Sequence, residues 1–216
     1  MSDVFDKTVA ILLASGLSRR FKRKDKLLQD LGGKPLFEHM ASRLAAFEFP
    51  ARIAVCPPRS HDLRDQLDGR FIIAPNVSPE SGLGVSISVG VRVAMQFRPE
   101  YVLLVLADMP FVEPASIARL ISTAEADPGL DIIHSGRGDA ARPPSLFQQR
   151  CFEPLQVLKG ESGAGSLVGR SGFRSVGISV AEPELLDVDT PFDLDTARAQ
   201  WAIRQRCLGS TTVEKI

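Results

Sequence analysis

The chain reads as an α/β protein with a mainly parallel central sheet and helices on both faces. Three observations predict this. Apolar runs of strand length alternate with amphipathic stretches of helix length from one end to the other. The strongest run, Tyr101-Val102-Leu103-Leu104-Val105-Leu106-Ala107, is continuously apolar, as a central parallel strand buried on both faces would be. Prolines at 35, 114 and 191 stand where helices should open, where a missing N–H costs nothing.

The elements follow in order. Thr8 to Leu13 is a buried strand, and a basic loop leads from it to the short apolar piece Leu27-Leu28-Gln29-Asp30-Leu31 and a Gly32-Gly33 turn. Pro35 opens a helix with Leu36, Met40, Leu44 and Phe47 on one face. Residues 51–56 form a strand stopped by Pro57-Pro58, residues 60–68 a short helix, and Phe71 to Ala74 a strand ending at Pro75. Asn76 to Gly84 is a polar, glycine-punctuated loop before a helix through Val85 to Val91. After the 101–107 strand, Pro114 opens a helix carrying Ile117, Leu120 and Ile121 inward. Asp131 to His134 is a strand, and Gly136 to Pro144 a loop. Residues 151–159 and 161–169 read as short helices split at Gly160, and residues 174–180 and 184–188 as late strands. Pro191 introduces a last helix packing through Phe192, Leu194, Ala197 and Trp201. Residues 1–207 then form a single domain, with 208–216 a mobile tail that has little to pack.

Composition narrows the function classes. The 216 residues are 44% hydrophobic and 24% charged with zero formal net charge, ordinary for a soluble globular protein. Cys56, Cys151 and Cys207 are few and widely spaced, without metal-ligand spacing, which suits a reducing cytoplasmic setting. His39, His61 and His134 form no ligand pair. Asp3 and Asp6 acidify what would be the positive region of a signal peptide, and no run approaches the ~20 apolar residues of a membrane span. Neutrality, and basic residues interleaved with no aromatic except Phe21, argue against a nucleic-acid partner. Neither a GxGxxG fingerprint nor a GxxxxGK[ST] loop occurs.

The candidate site lies in the loop after the first strand. Leu13 ends the strand; Ala14, Ser15 and Gly16 are small residues at its exit that let backbone N–H groups approach a ligand, and Ser18 adds a hydroxyl. Arg19, Arg20, Lys22, Arg23, Lys24 and Lys26 follow, opposed only by Asp25. Consecutive amides beside dense positive charge are what a polyphosphate needs; a solvated basic surface loop is the plainer alternative. In open parallel sheets ligands bind outside the carboxyl ends of the strands. Two acidic points lie there too: Asp108, in Ala107-Asp108-Met109-Pro110, and Asp187-Val188-Asp189 before the last helix. A carboxylate at such a place can hold Mg²⁺, a hard ion that prefers oxygen ligands, or it can simply cap a turn or helix.

Six motifs occur in order from about Val9 to Leu194: Leu13-Ala14-Ser15-Gly16-x-Ser18-x-Arg20, Asp25-Lys26-x-Leu28, Gly33-Lys34-Pro35-Leu36, Gly82-Leu83-Gly84-x-Ser86, Ala107-Asp108-Met109-Pro110 and Asp187-Val188-Asp189-Thr190-Pro191. Together they resemble the molybdenum cofactor nucleotidyltransferase family. The resemblance implies a Rossmann-like nucleotidyltransferase fold. It also implies attack of a substrate phosphate on the α-phosphorus of an NTP with release of pyrophosphate. On the same ground, Arg20, Lys26 and Asp108 would be catalytic, and Asp108 and Asp189 would hold Mg²⁺. Leu13, Ala14, Ser15, Gly16, Ser18, Lys26, Gly82, Gly84 and Ser86 would bind nucleotide, the glycines by allowing close approach to base or ribose. Ala14-Ser15-Gly16, Gly82-Leu83-Gly84-x-Ser86, Leu146-Phe147 and Gly160-Glu161-Ser162-Gly163-Ala164 resemble the cytidylyl branch, so CTP is the expected donor and molybdopterin the expected acceptor.

The chain departs from that pattern at three places. Arg20-Phe21-Lys22 stands where the family has Arg-Met-Gly, Arg142-Pro143-Pro144 where the cytidylyl branch has Gly-His-Pro, and Arg23 and Lys24 are additional. These leave two other readings: cytidylyl transfer to a sugar or alcohol phosphate, or a binding module without turnover that hands cofactor to a client molybdoenzyme.

Overall fold

The computed structural model of the chain describes residues 3–22, 24–136 and 141–210. In chain order the elements are α1 (Asp3–Asp6), β1 (Thr8–Leu13), the hairpin β2 (Asp30–Leu31) and β3 (Lys34–Pro35), α2 (Leu36–Ala45), β4 (Ala51–Cys56) and α3 (His61–Leu67). Then come β5 (Ile72–Pro75), α4 (Leu83–Ala94), β6 (Tyr101–Leu106), α5 (Pro114–Ala126), β7 (Ile132–Ser135), β8 (Arg142–Gln148), α6 (Phe152–Gln156), β9 (Ser175–Ile178) and α7 (Pro191–Ser210). Seven strands form the main sheet in the order β5-β4-β1-β6-β8-β7-β9. β1 lies between β4 and β6, parallel to both, and β4 is parallel to β5. This is the mostly parallel, Rossmann-like sheet that the alternating pattern predicts.

Period-two alternation along β1 separates the two halves of the core. Ala10, Leu12 and Ala14 face one cluster, closed by Met40 of α2, Leu63 of α3, Ile117 of α5 and Ala197 of α7. Val9, Ile11 and Leu13 face the other, closed by Ile87 and Val91 of α4 and Leu155 of α6. Both faces are thus covered, which is why β1 and β6 carry unbroken apolar runs.

Several expectations are corrected. Tyr101 to Leu106 is central but parallel on one side only, because β8 pairs with it antiparallel. The stretch read as a loop to Pro144 already enters β8 at Arg142; residues 137–140 of that stretch lie outside the described residues. Pro143 and Pro144 fit because the pairing of β8 with β6 begins only at Ser145, so their missing N–H groups cost no bond on that side. Residues 184–188 are not a strand. Pro183 starts a 3₁₀ turn over Glu182–Leu185, and Glu184 accepts from the backbone N–H of Ala181. Residues 161–169 hold only a 3₁₀ turn at Ala164–Leu167, and the preceding helix stops at Gln156. Phe192 is exposed, while Leu194 and Ala197 pack inward. The last helix runs on to Ser210, and residues 211–216 of the expected tail lie outside the described residues.

Candidate active site

The register of the parallel strands brings the site together. Leu13 pairs with Leu106, and the N–H of Ala107 donates to the carbonyl of Leu13 at 3.1 Å. The chain therefore leaves β1 and β6 side by side, with the basic loop beside Asp108. The N–H of Val188 donates to the carbonyl of Asp108 at 3.1 Å, which draws Asp187 and Asp189 to the same strand ends. Val188 is fully buried, and its two flanking carboxylates fall on one side as residues two apart in extended chain do. Thr190 caps α7: it accepts from the Asp193 N–H at 3.2 Å, while Asp193 accepts from the Thr190 N–H at 2.7 Å. Because Thr190 caps the helix, Asp189 is left free to turn toward the cleft.

Lys26 occupies the centre. Its side chain is 7% exposed, with Nζ 2.6 Å from Asp108 Oδ2 and 2.7 Å from Asp189 Oδ1. Burial alone would lower its pKa, but the two carboxylates outweigh burial and hold the ammonium above its ordinary range. Arg20 stands at the mouth, 66% exposed, with Nη1 3.4 Å from Asp189 Oδ2. Asp187 completes the acidic cluster. Burial, then the charges of Asp108 and Asp189, push its pKa up to about 7. One oxygen each of Asp108, Asp187 and Asp189 lies within 4.8 Å of the others. Oδ1 of Asp108 and Oδ1 of Asp187 are buried with no hydrogen-bond partner among the described residues. Orphaned, clustered carboxylate oxygens fit a hard divalent cation.

The basic loop is fastened to itself. Ser18, in the left-handed region, accepts from the Lys26 N–H at 2.9 Å and donates to Asp25 Oδ1 at 3.3 Å. Asp25 in turn accepts from the N–H of Leu27 at 2.9 Å. Ser15 donates to the Val55 carbonyl at 3.0 Å. Both hydroxyls thus shape the loop, and no partner within the described chain is found for the amides of residues 15–20. Gly16 lies against the Lys26 stem. At the position where the family glycine is missing, Lys22 still adopts the left-handed conformation, with φ 46°.

Leu13, Ser15, Gly16, Ser18, Lys26, Gly82, Ser86, Asp108 and Asp189 all line one cleft of about 330 Å³, together with Asp187, Glu80 and Glu161. Its floor residues Leu13, Leu83 and Leu106 are shared with an adjoining, more apolar cavity of about 270 Å³, which reaches Pro143, Ser145 and Gly163 to Ser166. Ala14 is buried on the opposite face. At Gly82 and Gly84 the chain closely approaches itself. The Gly84 N–H donates to the Gly160 carbonyl at 2.9 Å, and a Cβ on Gly84 would lie 2.8 Å from the Lys159 nitrogen. Gly82 also has φ 93°, which favours glycine. These glycines bed the 159–161 segment against the start of α4 and so hold Glu161 at the cleft.

Residues 10–176 match the model of the MobA-like NTP transferase domain. The chain belongs to this family. Among relatives of the MobA-like domain, the purine catabolism protein PucB of Bacillus subtilis is 28% identical over 207 residues, covering 88% of this chain and 95% of PucB. A probable molybdenum cofactor guanylyltransferase of Pyrococcus horikoshii is 32% identical over 117 residues, covering 53% of this chain and 55% of that protein. A nucleotidyl transferase from Methanothermobacter superposes with a TM-score of 0.76 at 21% identity, covering 91% of this chain and 98% of the other. Rv0371c of Mycobacterium tuberculosis gives 0.70 at 23% identity, covering 89% and 98%. The MobA-like fold is thus shared with these proteins well beyond sequence similarity.

Asp187 fell within the second acidic point, but the residues expected to hold Mg²⁺ were Asp108 and Asp189. Its signal was present: two acids flanking one apolar residue just before a helix cap place both carboxylates on one side.

Proposed function

We propose that this MobA-like protein transfers a cytidylyl group from CTP to the phosphate of molybdopterin, releasing pyrophosphate, and that residues 1–207 act as one nucleotidyltransferase domain. The observation that carries the reading is the Lys26 ammonium held between Asp108 and Asp189 at the floor of the cleft, beneath a loop with unused amides. In the reaction an acceptor phosphate oxygen forms a bond to the α-phosphorus while the bridging bond to the β-phosphate breaks, and the electron pair leaves with pyrophosphate. Little covalent chemistry falls to the protein, so positioning and charge neutralisation carry the catalysis.

Lys26 and Arg20 meet the triphosphate and balance the charge that grows on the leaving group. The amides of residues 15–20 receive phosphate oxygens. Asp108 and Asp189, joined by Asp187, would hold Mg²⁺, which when bound supplies positive charge to the phosphates. CTP is favoured because the Ser15 side chain narrows the cleft where the guanylyl branch has a second glycine, which suits the smaller base. The molybdopterin acceptor rests on the family resemblance, and the adjoining apolar cavity is where its non-phosphate part would lie.

The test is a pyrophosphate-release assay crossing each NTP with molybdopterin and with sugar and alcohol phosphates, in Mg²⁺. Release with CTP and molybdopterin, lost about 100-fold or more in Lys26→Ala and Asp108→Ala, is expected. Unchanged turnover in both variants, or no release from any pair, would overturn the reading.

A further inference from the structure

Asn76 is fully buried at the end of β5, and the sequence reading gave it no role. Its backbone N–H donates to the Cys56 carbonyl at 2.9 Å, which fixes where its side chain starts. Its Oδ1 accepts from the Ser78 backbone N–H at 3.0 Å, and its Nδ2 lies 3.0 Å from Ser86 Oγ. The Ser78 amide can only donate, so the Asn76 oxygen must face it and the Asn76 NH₂ must face Ser86. The amide orientation is therefore dictated by the backbone.

The consequence falls on Ser86. Its hydroxyl, 4% exposed and lining the cleft, receives the Asn76 hydrogen bond on one lone pair. Among the described residues it has no acceptor for its own proton, not even a carbonyl in the preceding turn of α4. An unspent proton on a nearly buried hydroxyl is a directed donor.

We infer that Asn76 is a positioning residue that fixes Ser86 as a hydrogen-bond donor to the cleft, and that this polarity selects a base presenting an acceptor edge. Cytosine presents two adjacent acceptors, O2 and N3. Uracil shares the O2 acceptor but carries a donor at N3, and guanine, with an acceptor at O6, carries donors at N1 and N2, so the discrimination falls on the N3 position that Ser86 would meet. A donor facing a donor leaves both unpaired, which is where hydrogen-bonded sites gain their discrimination. The inference rests on the reading of this cleft as an NTP site and deepens it.

Asn76→Asp is the informative change. The carboxylate has the amide's shape and still accepts from the Ser78 N–H. When ionised, however, it can only accept from Ser86, which then turns its proton away from the cleft. Dissociation constants for CTP, UTP and GTP with Mg²⁺ are measured by calorimetry at about pH 9, and because burial raises an aspartate above its ordinary pKa of about 3.9, ionisation of the residue-76 carboxyl at that pH is verified from its infrared carboxylate band. The proteins are the wild type, N76D, S86A and the double variant. The wild type should prefer CTP, and N76D and S86A should each cut that preference about tenfold or more. The double variant should lose no more than S86A alone, because Asn76 acts through Ser86. A preference unchanged in S86A or in folded N76D overturns the inference, as does an N76D effect that persists when residue 86 is alanine. Should N76D fail to fold, S86A alone decides. A wild type that binds all three nucleotides equally overturns this inference and leaves the nucleotidyl-transfer reading standing. One that binds none overturns both.

Discussion

Replacing Lys26 by methionine keeps the length of the side chain and removes the charge that holds the acidic cluster together. Asp108, whose side chain is 16% exposed, loses its partner at 2.6 Å, and the half-exposed Asp189 loses one at 2.7 Å. Two unit charges about 4 Å apart interact by roughly 4 kcal/mol at an effective dielectric of about 20. The Asp189 pair is screened by solvent and adds about 1 kcal/mol at most. Losing one partner of a buried pair costs about 3–5 kcal/mol in general. Taking about 3 kcal/mol, and about 2–4 °C per kcal/mol for a chain of this size, Lys26→Met should melt about 6–12 °C below the wild type without metal. The loss should deepen with pH. Asp187 already titrates at about 7 with Lys26 present, and below that value the cluster can take up a proton in place of the missing ammonium. A divalent cation should restore stability, by about 2.7 kcal/mol at a hundred times its dissociation constant, and more in the variant than in the wild type, where Lys26 competes for the same oxygens. Melting curves with and without Mn²⁺ read all three effects. Equal melting temperatures without metal, or an equal metal-induced rise in both proteins, would refute the placement of Lys26 at the cation position.

Other predictions concern the scaffold. Lys22→Gly relieves a left-handed residue at φ 46°, which costs about 1–2 kcal/mol, against about 0.5–1 kcal/mol of added chain entropy in the unfolded state. Chemical denaturation should find it unchanged or up to about 1 kcal/mol more stable, and a clear loss would mean that the Lys22 side chain makes a stabilising contact. Glu38 accepts both Nη atoms of Arg70 at 2.8 Å, and this bond holds its carboxyl below the usual carboxylate range. A depressed carboxylate contributes stability above its unfolded pKa, lost as pH falls through its folded one. Arg70→Met should therefore narrow the stability gap to the wild type under acid, as pH-dependent melting would reveal. Burial pushes the Cys56 and Cys151 thiols up to about 12, whereas Cys207 is exposed. A thiol reagent should label Cys207 in the folded protein and reach the other two only on unfolding; fast labelling of all three would contradict their burial.

Sequence and fold agree where the pattern is periodic and fail where it depends on a single hydrogen bond or on a distant partner. β1, β4 and β6 were legible because largely apolar runs, interrupted in β4 by Arg52, ended at small residues, acids or prolines within a residue of the observed bounds. β8 was hidden by Arg142-Pro143-Pro144, since a proline pair argues against a central strand unless its free edge is known. The 184–188 segment carries the apolar content of a strand, but the Ala181–Glu184 hydrogen bond closes a turn that no periodicity announces. At the site, Lys26, Asp108 and Asp189 were legible from motif order and from the rule that ligands gather at strand ends. At Gly82 and Gly84 the need for a residue without a side chain was legible, but not that the 159–161 backbone lies on them. Asn76 was out of reach, since its significance lies in which way the Ser78 amide forces it to point and in Ser86 lying against it.

The reversed direction of β8 divides labour within the cleft. Its start, not its end, lies level with the ends of β1 and β6, so Pro143 and Ser145 reach the cavity from a chain segment separate from the one that carries Lys26. The wall of the charged cleft is drawn from residues 13–26 and 79–86 with Asp108, Glu161, Asp187 and Asp189, and the wall of the adjoining cavity from residues 141–147 and 163–166. If the cleft works as proposed, changes along the second pair of segments would reshape what is accepted without disturbing the charges that handle the donor. On that proposal, a scaffold wired in this way would be re-addressed to new acceptors one wall at a time.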